Sequence, residues 1–350
     1  MNNGTMGIIQ AADPSPLYSL YWWGIELIKG IQTIEQPALT AIIRFLTGLG
    51  TELFYIPVLL FIFWCVNEKQ GARFCVLILL STWVNGFFKN LLKQPRPYNL
   101  DPSVGRGFEP TYGIPSGHAQ QSLVFWSAFA SWAGKRTEKT AILRLAAVLF
   151  ILIIAFTRLY LGLHFPTDIL AGWLLGGTLL VLYAVFGSRL ETLLSAGGTR
   201  FQMITAAIIA LLMNGSGAGS NLGGLFLGFC AGYSLMIAHI RFSASAQVRG
   251  KRPGGFILIA RYGTGMAGMA LIYTVLKFLL PGEGSLLAAL PVWGAASPYY
   301  ELGRFLRYGA LGLWAAAGAP LVFCRIGLAD RMSTDRMSTD RRSTDRMSDG

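Results

Sequence analysis

The chain has 350 residues, of which 53% are hydrophobic and only 13% are charged. So few charged side chains cannot cover a water-soluble protein of this size, which excludes an ordinary soluble domain and indicates lipid as the main solvent. The formal charge of +12 is compatible with a nucleic acid or a membrane surface as partner, and the positions of the charges must decide between them.

The first predicted element runs from Tyr18 to about Gly48. It mixes tryptophans with charged residues and is interrupted by Pro37. Indole rings favour the headgroup layer, so we expect this segment to lie at the membrane interface. The N-terminal residues lack the pattern of a cleaved signal peptide, and we expect the spans themselves to direct insertion.

Apolar segments that are long enough, or nearly so, to cross a hydrocarbon layer of about 30 Å follow this element. They lie near residues 53–67, 73–92, 118–134, 142–161, 167–187, 201–214, 221–240, 255–280 and 305–325. The segment at 201–214 is short and either begins earlier or is re-entrant. The pattern predicts an all-α fold, a polytopic transmembrane helical bundle.

Basic residues in short loops stay on the cytoplasmic side during insertion. The connections after the first, third, fifth and seventh spans are all basic. Their basic residues are Lys69, Arg73, Lys135, Arg136, Lys139, Arg144, Arg189, Arg200, Arg241, Arg249, Lys251 and Arg252. The other connections, which carry the motifs described next, are therefore expected to face away from the cytoplasm.

The four cysteines lie in or beside apolar runs, without a CxxC pair or metal-ligand spacing. We interpret them as packing residues. After residue 330 the chain repeats RMSTD, RMSTD, RRSTD and RMSDG. This stretch has no apolar period and balances Arg against Asp, which predicts a disordered cytoplasmic tail.

The first polar group at a span end runs from Lys89 to Pro97. Pro95 and Pro97 end the second span and turn Arg96 back over its end. Ionisable side chains are energetically costly in apolar surroundings, so a cluster of them at a span end indicates a functional or structural role. Taken alone, it is more typical of a basic flank that snorkels to the headgroups.

The second group, Pro115-Ser116-Gly117-His118, opens the third span. Serine is a preferred N-cap, glycine lets a ligand approach the backbone, and the free N–H groups of a first helical turn bind anions. This geometry suits phosphate. An ordinary helix start with an interfacial histidine would have the same sequence.

The third group runs from Thr157 to Asp168. Pro166 suits a first helical position, which would place His164 and Asp168 close together. If the aspartate accepts a hydrogen bond from the N–H of one ring nitrogen, the other nitrogen is left unprotonated and can act as a nucleophile. A buried His-Asp pair that only satisfies itself is the alternative, and the membrane boundary disfavours it.

Together the three groups resemble the signature of the phosphatidic acid phosphatase type 2 (PAP2) superfamily, Lys-x6-Arg-Pro, Pro-Ser-Gly-His and Ser-Arg-x5-His-x3-Asp. The matching residues are Lys89, Arg96, Pro97, Pro115, Ser116, Gly117, His118, Arg158, His164 and Asp168. One position departs, since Thr157 stands where the family usually has serine. The resemblance implies a six-helix PAP2-like core and extra C-terminal spans.

This organisation predicts four regions. Residues 1–44 form the interfacial segment, 45–214 the catalytic transmembrane core, 215–328 a C-terminal transmembrane extension and 329–350 the tail. Extensions of this kind occur in some bacterial members of the family. The resemblance therefore implies an integral protein of the bacterial inner membrane, with the active site at the periplasmic or outer face and the C-terminus in the cytoplasm.

The resemblance also implies a two-step mechanism without metal or cofactor. His164 would attack phosphorus to form a phosphohistidine, Asp168 would orient it, and His118 would protonate the leaving oxygen and later activate water. The groups that would hold the phosphoryl oxygens are Lys89, Arg96, Arg158, the Ser116 hydroxyl and the Gly117 N–H. Three cations beside an oriented imidazole are what this chemistry requires.

The expected substrate is a phosphorylated membrane lipid with a phosphate monoester or pyrophosphate. Phosphatidic acid, phosphatidylglycerol phosphate, a polyprenyl pyrophosphate and a lipid A phosphate all remain open, as does the oligomeric state. Alternatives are a lipid phosphotransferase with the same site and a non-catalytic transporter or lipid-binding protein. Nucleic acid is excluded as a partner because the basic residues lie in short loops without a continuous groove.

Two further arginines, Arg304 and Arg307, open the last span on the same side as the motifs. They could extend a headgroup site, but snorkelling is the favoured interpretation. His239 lies at the opposite end of its span, so we expect a structural role for it.

Overall fold

The computed structural model of the chain describes residues 16–217, 219–245, 247–248, 251–282, 285–286, 290, 293–294 and 297–331. These residues form helices and loops without a β-strand, which confirms the predicted all-α class. From residue 332 onward, the predicted disordered tail lies outside the described residues.

Successive helices make up most of this described part. They are α1 (Pro16–Gln32), α2 (Pro37–Gly48), α3 (Glu52–Phe61), α4 (Glu68–Leu92), α5 (Pro97–Leu100), α6 (Gly117–Gly134), α7 (Thr140–Tyr160), α8 (Pro166–Ala196), α9 (Gly198–Gly215), α10 (Ser220–Leu235), α11 (Gly255–Leu279), α12 (Tyr300–Leu313) and α13 (Ala319–Arg325). Short π-helical turns at Ile62–Val66, Met236–Ile240 and Trp314–Gly318 continue α3, α10 and α12.

Every segment predicted to span the membrane falls on a helix. Among the described residues, 6 helices are long and apolar enough to cross a bilayer, or up to 7 if the bent pair Pro37–Gly48 and Glu52–Val66 is one span. Neither α6 nor α9, each of 18 residues, is among the six. Polar residues such as Gln120, Gln121 and Ser122 in α6 explain why that helix is less apolar than its neighbours.

Two compact units make up the chain, and each is discontinuous in sequence. One contains Met1–Tyr55 and Val84–Val181, and the other contains Ile56–Trp83 and Leu182–Gly350. The long helices α4 and α8 each contribute residues to both units. The region limits at 44, 214 and 328 remain predictions.

In the first unit, α8 packs closely against the beginning of α6. A Cβ on Gly172 would lie 2.6 Å from the Ser116 carbonyl oxygen, and one on Gly176 would lie 3.1 Å from the Gln120 carbonyl oxygen. Glycines four residues apart let two helix backbones approach closely in a membrane, where burial from water gives no attraction between helices. This contact holds the start of α6 against the first turns of α8.

In the second unit, α10 packs against α12 in the same way. Gly224 lies against the backbone of Phe305, and Gly228 lies against the backbone of Gly309. The ion pair between Arg73 and Glu191 also lies in this unit.

Candidate active site

The last turn of α4 is tied to the loop that precedes α6. Lys89 Nζ donates hydrogen bonds to the carbonyl oxygens of Tyr112, at 2.5 Å, and Gly113, at 3.1 Å. A primary ammonium has three donors, so the described residues leave one N–H for a ligand. Lys89 is half-buried, which suits a cation that holds an anion at a site boundary.

Arg96, directly before α5, is buried with 1% of its surface exposed. Its guanidinium donates to the Thr111 carbonyl oxygen at 2.6 Å and to Thr111 Oγ1 at 2.9 Å. It also donates from Nη1 to the Leu163 carbonyl oxygen at 2.9 Å. Arg96 therefore fixes both the loop before α6 and the segment that carries His164.

Ser116 caps α6, as its sequence predicts. The Ser116 hydroxyl accepts from the Ala119 N–H, with an N···O distance of 3.5 Å, and the Ser116 N–H donates to the Asp168 carbonyl oxygen at 2.9 Å. A Cβ on Gly117 would lie 3.2 Å from Asn85 Oδ1. The helix start predicted to bind an anion is therefore attached to the residue predicted to orient the nucleophile.

His164 and Asp168 form the predicted pair, because α8 begins at Pro166. His164 Nδ1 lies 3.1 Å from Asp168 Oδ2, which also accepts the Phe165 N–H at 3.0 Å. A carboxylate that accepts from Nδ1 leaves the proton there and the lone pair on Nε2. Nε2 lies 3.2 Å from Arg96 Nη1, which donates to that lone pair.

The charge state of His164 also suits a nucleophile. Burial, and then the positive charges of Arg96, Arg158 and Lys89, hold the pKa of the His164 imidazole well below its usual range. The ring is therefore neutral at physiological pH. A neutral imidazole keeps the lone pair that attack on phosphorus requires.

Arg158 lies in the last turn of α7 and is 1% exposed. It donates to Thr47 Oγ1 at 2.8 Å and forms an ion pair with Glu109. Its Nε is buried without a hydrogen-bond partner in the part of the chain that the structure describes. The guanidinium therefore holds one buried donor that its protein neighbours do not use.

His118 lies in the first turn of α6. It interacts electrostatically with Arg158 and Glu109, and also with His164. The turn after α2 touches its ring, since a Cβ on Gly50 would lie 3.0 Å from His118 Cδ2. All eight predicted site residues are thus brought together in one compact unit.

Glu109 is a residue of this site that the motifs do not contain. Its Oε2 lies 2.7 Å from Arg96 Nη2 and 3.8 Å from His164 Nε2, and its Oε1 pairs with Arg158. Burial alone would raise the pKa of the Glu109 carboxyl, but Arg158 and Arg96 outweigh burial and lower it. The only sequence signal was a lone carboxylate between Asp101 and His118, in a segment flanked by cations.

The N-terminal helices support the site from outside the motifs. Gln32 Nε2 donates to the carbonyl oxygens of Val104 and Tyr160, each at 2.8 Å. The Tyr21 ring stacks on Phe165 with a centroid distance of 4.9 Å. Sequence reasoning expected only an interfacial segment here, because these contacts join residues far apart in the chain.

Comparison with known protein families matches two parts of the chain. A family model described as the PAP2 superfamily covers residues 70–191, and one described as PAP2 superfamily phosphatase, transmembrane extension, covers residues 220–331. The chain belongs to the PAP2 superfamily. This confirms the resemblance seen in the motifs, all of which lie inside the first match.

Individual PAP2 relatives differ in how much of their length is matched. Sphingosine-1-phosphate phosphatase 2 of Mus musculus is 32% identical over 156 residues, which cover 44% of this chain and 44% of the mouse protein. Undecaprenyl-diphosphatase of Sulfolobus acidocaldarius is 29% identical over 164 residues, which cover 44% of this chain and 73% of that protein. The chain therefore spans less than half of the mouse relative.

Among solved structures, the transmembrane PAP2 type phosphatidylglycerolphosphate phosphatase from Bacillus subtilis aligns with a TM-score of 0.44 at 22% identity. The alignment covers 50% of this chain and 89% of that structure.

Proposed function

We propose that this PAP2 protein is an integral membrane lipid phosphatase that cleaves a phosphate monoester or pyrophosphate of a lipid headgroup through a phosphohistidine. One observation carries the proposal. His164 Nδ1 lies 3.1 Å from Asp168, its Nε2 lies 3.2 Å from Arg96 Nη1, and Glu109 pairs with both Arg96 and Arg158 beside it. Phosphoryl transfer requires an oriented nucleophile beside positively charged groups that bind the phosphate.

In the first step, His164 Nε2 attacks phosphorus and the bond from phosphorus to the leaving oxygen breaks. His118, which takes up a proton when the negatively charged phosphate binds, gives that proton to the leaving oxygen, and the leaving group departs as an alcohol or, from a pyrophosphate, as the lipid monophosphate. A phosphoryl oxygen accepts the hydrogen bond from Arg96 Nη1 that Nε2 accepts in the free site. Arg158, Lys89 and the start of α6 stabilise the charge that spreads over the other oxygens.

In the second step, neutral His118 takes a proton from water, and the resulting hydroxide attacks phosphorus. The bond between phosphorus and His164 Nε2 breaks, which releases inorganic phosphate and returns both imidazoles to their starting states. Asp168 holds the Nδ1 proton of His164 throughout. The cationic side chains supply the positive charge for both steps, so the proposed reaction uses no metal and no cofactor.

The names of the relatives bear on the substrate. The mouse protein is named for a lipid phosphate monoester and the Sulfolobus protein for a polyprenyl diphosphate. Their shared chemistry is a terminal phosphate on a membrane lipid, which supports a phosphorylated lipid as the substrate here. We place the site at the outer face of a bacterial inner membrane and the C-terminus in the cytoplasm, because the basic loops lie at the opposite span ends.

Phosphate release by the purified full chain in detergent tests this function. We expect release from at least one lipid in a panel of phosphatidic acid, phosphatidylglycerol phosphate, sphingosine-1-phosphate and a polyprenyl pyrophosphate. EDTA should leave this activity unchanged, and the His164→Ala variant serves as the blank.

Loss of activity with EDTA would contradict the mechanism. Transfer of phosphate to an added lipid alcohol in place of its release would indicate a phosphotransferase. In sealed vesicles, activity restricted to the cytoplasmic face would contradict the proposed orientation.

A second expected result concerns Glu109, whose carboxylate pairs with the arginines that the substrate phosphate needs. The Glu109→Gln variant should bind inorganic phosphate or vanadate about tenfold more tightly, because like charges in one site repel. This difference in affinity between the variant and the wild type should be present at neutral pH. It should fade as the pH falls through the lowered pKa of Glu109, since protonation removes the same charge from the wild type.

Inhibition constants for vanadate at neutral pH, and for inorganic phosphate from pH 8 down to pH 3, check this expectation, because the lowered pKa of Glu109 lies below the ordinary glutamate value of 4.5. Glu26→Gln is the matched control, because Glu26 is an exposed carboxylate on α1. If Glu109→Gln lowers the melting temperature, vanadate should restore it by neutralising Arg96 and Arg158. Equal or weaker vanadate binding by Glu109→Gln would show that the carboxylate does not compete for the site.

A further inference from the structure

The C-terminal extension contains a buried arginine whose ion-pairing edge is unused. Arg307, in the second turn of α12, is 8% exposed. Its Nε and Nη2 are both buried, and neither has a hydrogen-bond partner in the described part of the chain. These two nitrogens form the edge of a guanidinium that binds a carboxylate or phosphate through two parallel hydrogen bonds.

Another arginine of the same unit shows this edge in use. Arg73 donates from Nε to Glu191 Oε1 at 2.9 Å and from Nη2 to Glu191 Oε2 at 2.5 Å. More than a third of the Arg73 side chain is exposed, so water can also accept its hydrogen bonds. Arg307 is buried, and a buried guanidinium without an acceptor is far more costly. Within the described residues this edge is therefore unpaired, and an external anion would satisfy it.

Among the described residues, no carboxylate pairs with Arg307 Nε or Nη2. Arg304 lies one turn earlier, with 31% of its side chain exposed, and its Nη1 is 3.6 Å from Glu301 Oε1. The other carboxylate oxygen of Glu301 accepts from Ser220 Oγ at 2.5 Å. A Cβ on Gly282 would lie 3.2 Å from Arg307 Nη2, so no side chain projects onto the edge from that position.

The depth of Arg307 is right for a headgroup phosphate. The apolar stretch Tyr300–Arg325 is long enough to span a bilayer, and tyrosines at its start favour the interface. Arg307 follows Tyr300 by seven residues, which is about 10 Å along a helix. A snorkelling arginine would hold its guanidinium in water, so the burial of Arg307 contradicts the snorkelling expected from the sequence.

An apolar groove lies one helical turn beyond Arg307. Its volume is about 500 Å³, and its lining comes from α11 and α12, including Leu271, Val275, Ala310 and Trp314. Arg307 itself packs over the Tyr273 ring of α11 at 5.9 Å, so the cation and the groove share the same two helices. A hydrocarbon chain fits such a surface, and a phosphate fits the cations beside it.

We propose that the extension binds an anionic phospholipid, with its phosphate on Arg304 and Arg307 and one acyl chain in the groove between α11 and α12. Because Nε and Nη2 are buried, binding of the phosphate requires a small rearrangement of the residues that cover them. The exposed side of Arg304 is where the headgroup enters. This site is independent of the proposed catalysis, and its ligand need not be a substrate.

Quenching of Trp314 fluorescence tests the site in the purified full chain. The signal is the difference between the wild type and Trp314→Phe in micelles that contain phosphatidylglycerol with dibrominated acyl chains. Arg307→Gln and Arg304→Gln should each require about tenfold more brominated lipid for half-maximal quenching, since each removes charge-assisted hydrogen bonds. Brominated phosphatidylcholine should bind the wild type more weakly.

The matched control is Arg325→Gln, which removes an exposed arginine at the other end of the same span and should leave quenching unchanged. His164→Ala should also bind as the wild type does, which separates this site from the phosphatase chemistry. Equal quenching of the wild type and both arginine variants would overturn the proposal, because it would indicate bulk lipid. Relief of quenching by millimolar inorganic phosphate would identify a free-anion site instead. If Arg307→Gln does not fold, Arg304→Gln decides.

Discussion

The His164→Ala variant should release phosphate at least about 10⁴-fold more slowly than the wild type. The side chain is the proposed nucleophile, and the two carboxylates nearest to it are already engaged. Asp168 is engaged with the Phe165 N–H as well as with His164, and Glu109 is held by two arginines. The remaining cations should still bind phosphate, so vanadate affinity should change little.

Two measurements distinguish this result from misfolding. Substrate labelled with ³²P at the terminal phosphate, quenched in alkali, should leave acid-labile label on the wild type and none on His164→Ala. The matched control is His239→Ala, which removes an exposed histidine of the second unit and should retain full activity and labelling. A His164→Ala protein with more than about a hundredth of wild-type activity, or with the same labelling, would exclude the phosphohistidine.

Much of the candidate site could be predicted because its determinants are local in sequence. Ser116 caps α6 through a residue three positions later. Pro166 starts α8, which brings His164 to Asp168 across a separation of four. Capping and proline preferences act over a single turn, so the sequence alone carries them.

The rest of the site depends on contacts that no local pattern encodes. Arg158 meets Thr47 across 111 positions and Glu109 across 49. Gln32 reaches Tyr160 across 128. The chain path between the motifs sets these distances, and that path follows from helix packing through small residues such as Gly172 and Gly176.

Charges inside the bundle show the same limit of sequence reasoning. The sequence places Arg307 at a span end, where snorkelling is the general expectation. Whether a guanidinium reaches water depends on what covers it, and in this fold it is buried. A lone Glu109 in a loop likewise suggests a solvated side chain until the fold brings it between Arg96 and Arg158. In both cases the identity of the residue was plain, but its environment was not.

Asp168→Asn is the second change with a large expected effect, a fall in kcat of about 10³-fold. The carboxylate Oδ2 fixes the His164 proton on Nδ1 and stabilises the imidazolium character that develops as Nε2 bonds to phosphorus. An asparagine has the same shape and can still accept the Phe165 N–H, but it brings no negative charge. Because Arg96, Arg158 and Lys89 are unchanged, KM should change less than threefold.

Steady-state kinetics on the best lipid substrate, with melting temperature as the check on folding, measures this effect. The control is Asp101→Asn, which removes a carboxylate of the same unit that pairs with Lys29 and contacts none of the catalytic residues. A loss in kcat of less than tenfold for Asp168→Asn would mean that burial and Arg96 alone orient His164. A parallel rise in KM would mean that Asp168 acts through the start of α6, whose Ser116 N–H donates to its carbonyl oxygen, and would move its role from the nucleophile to phosphate binding.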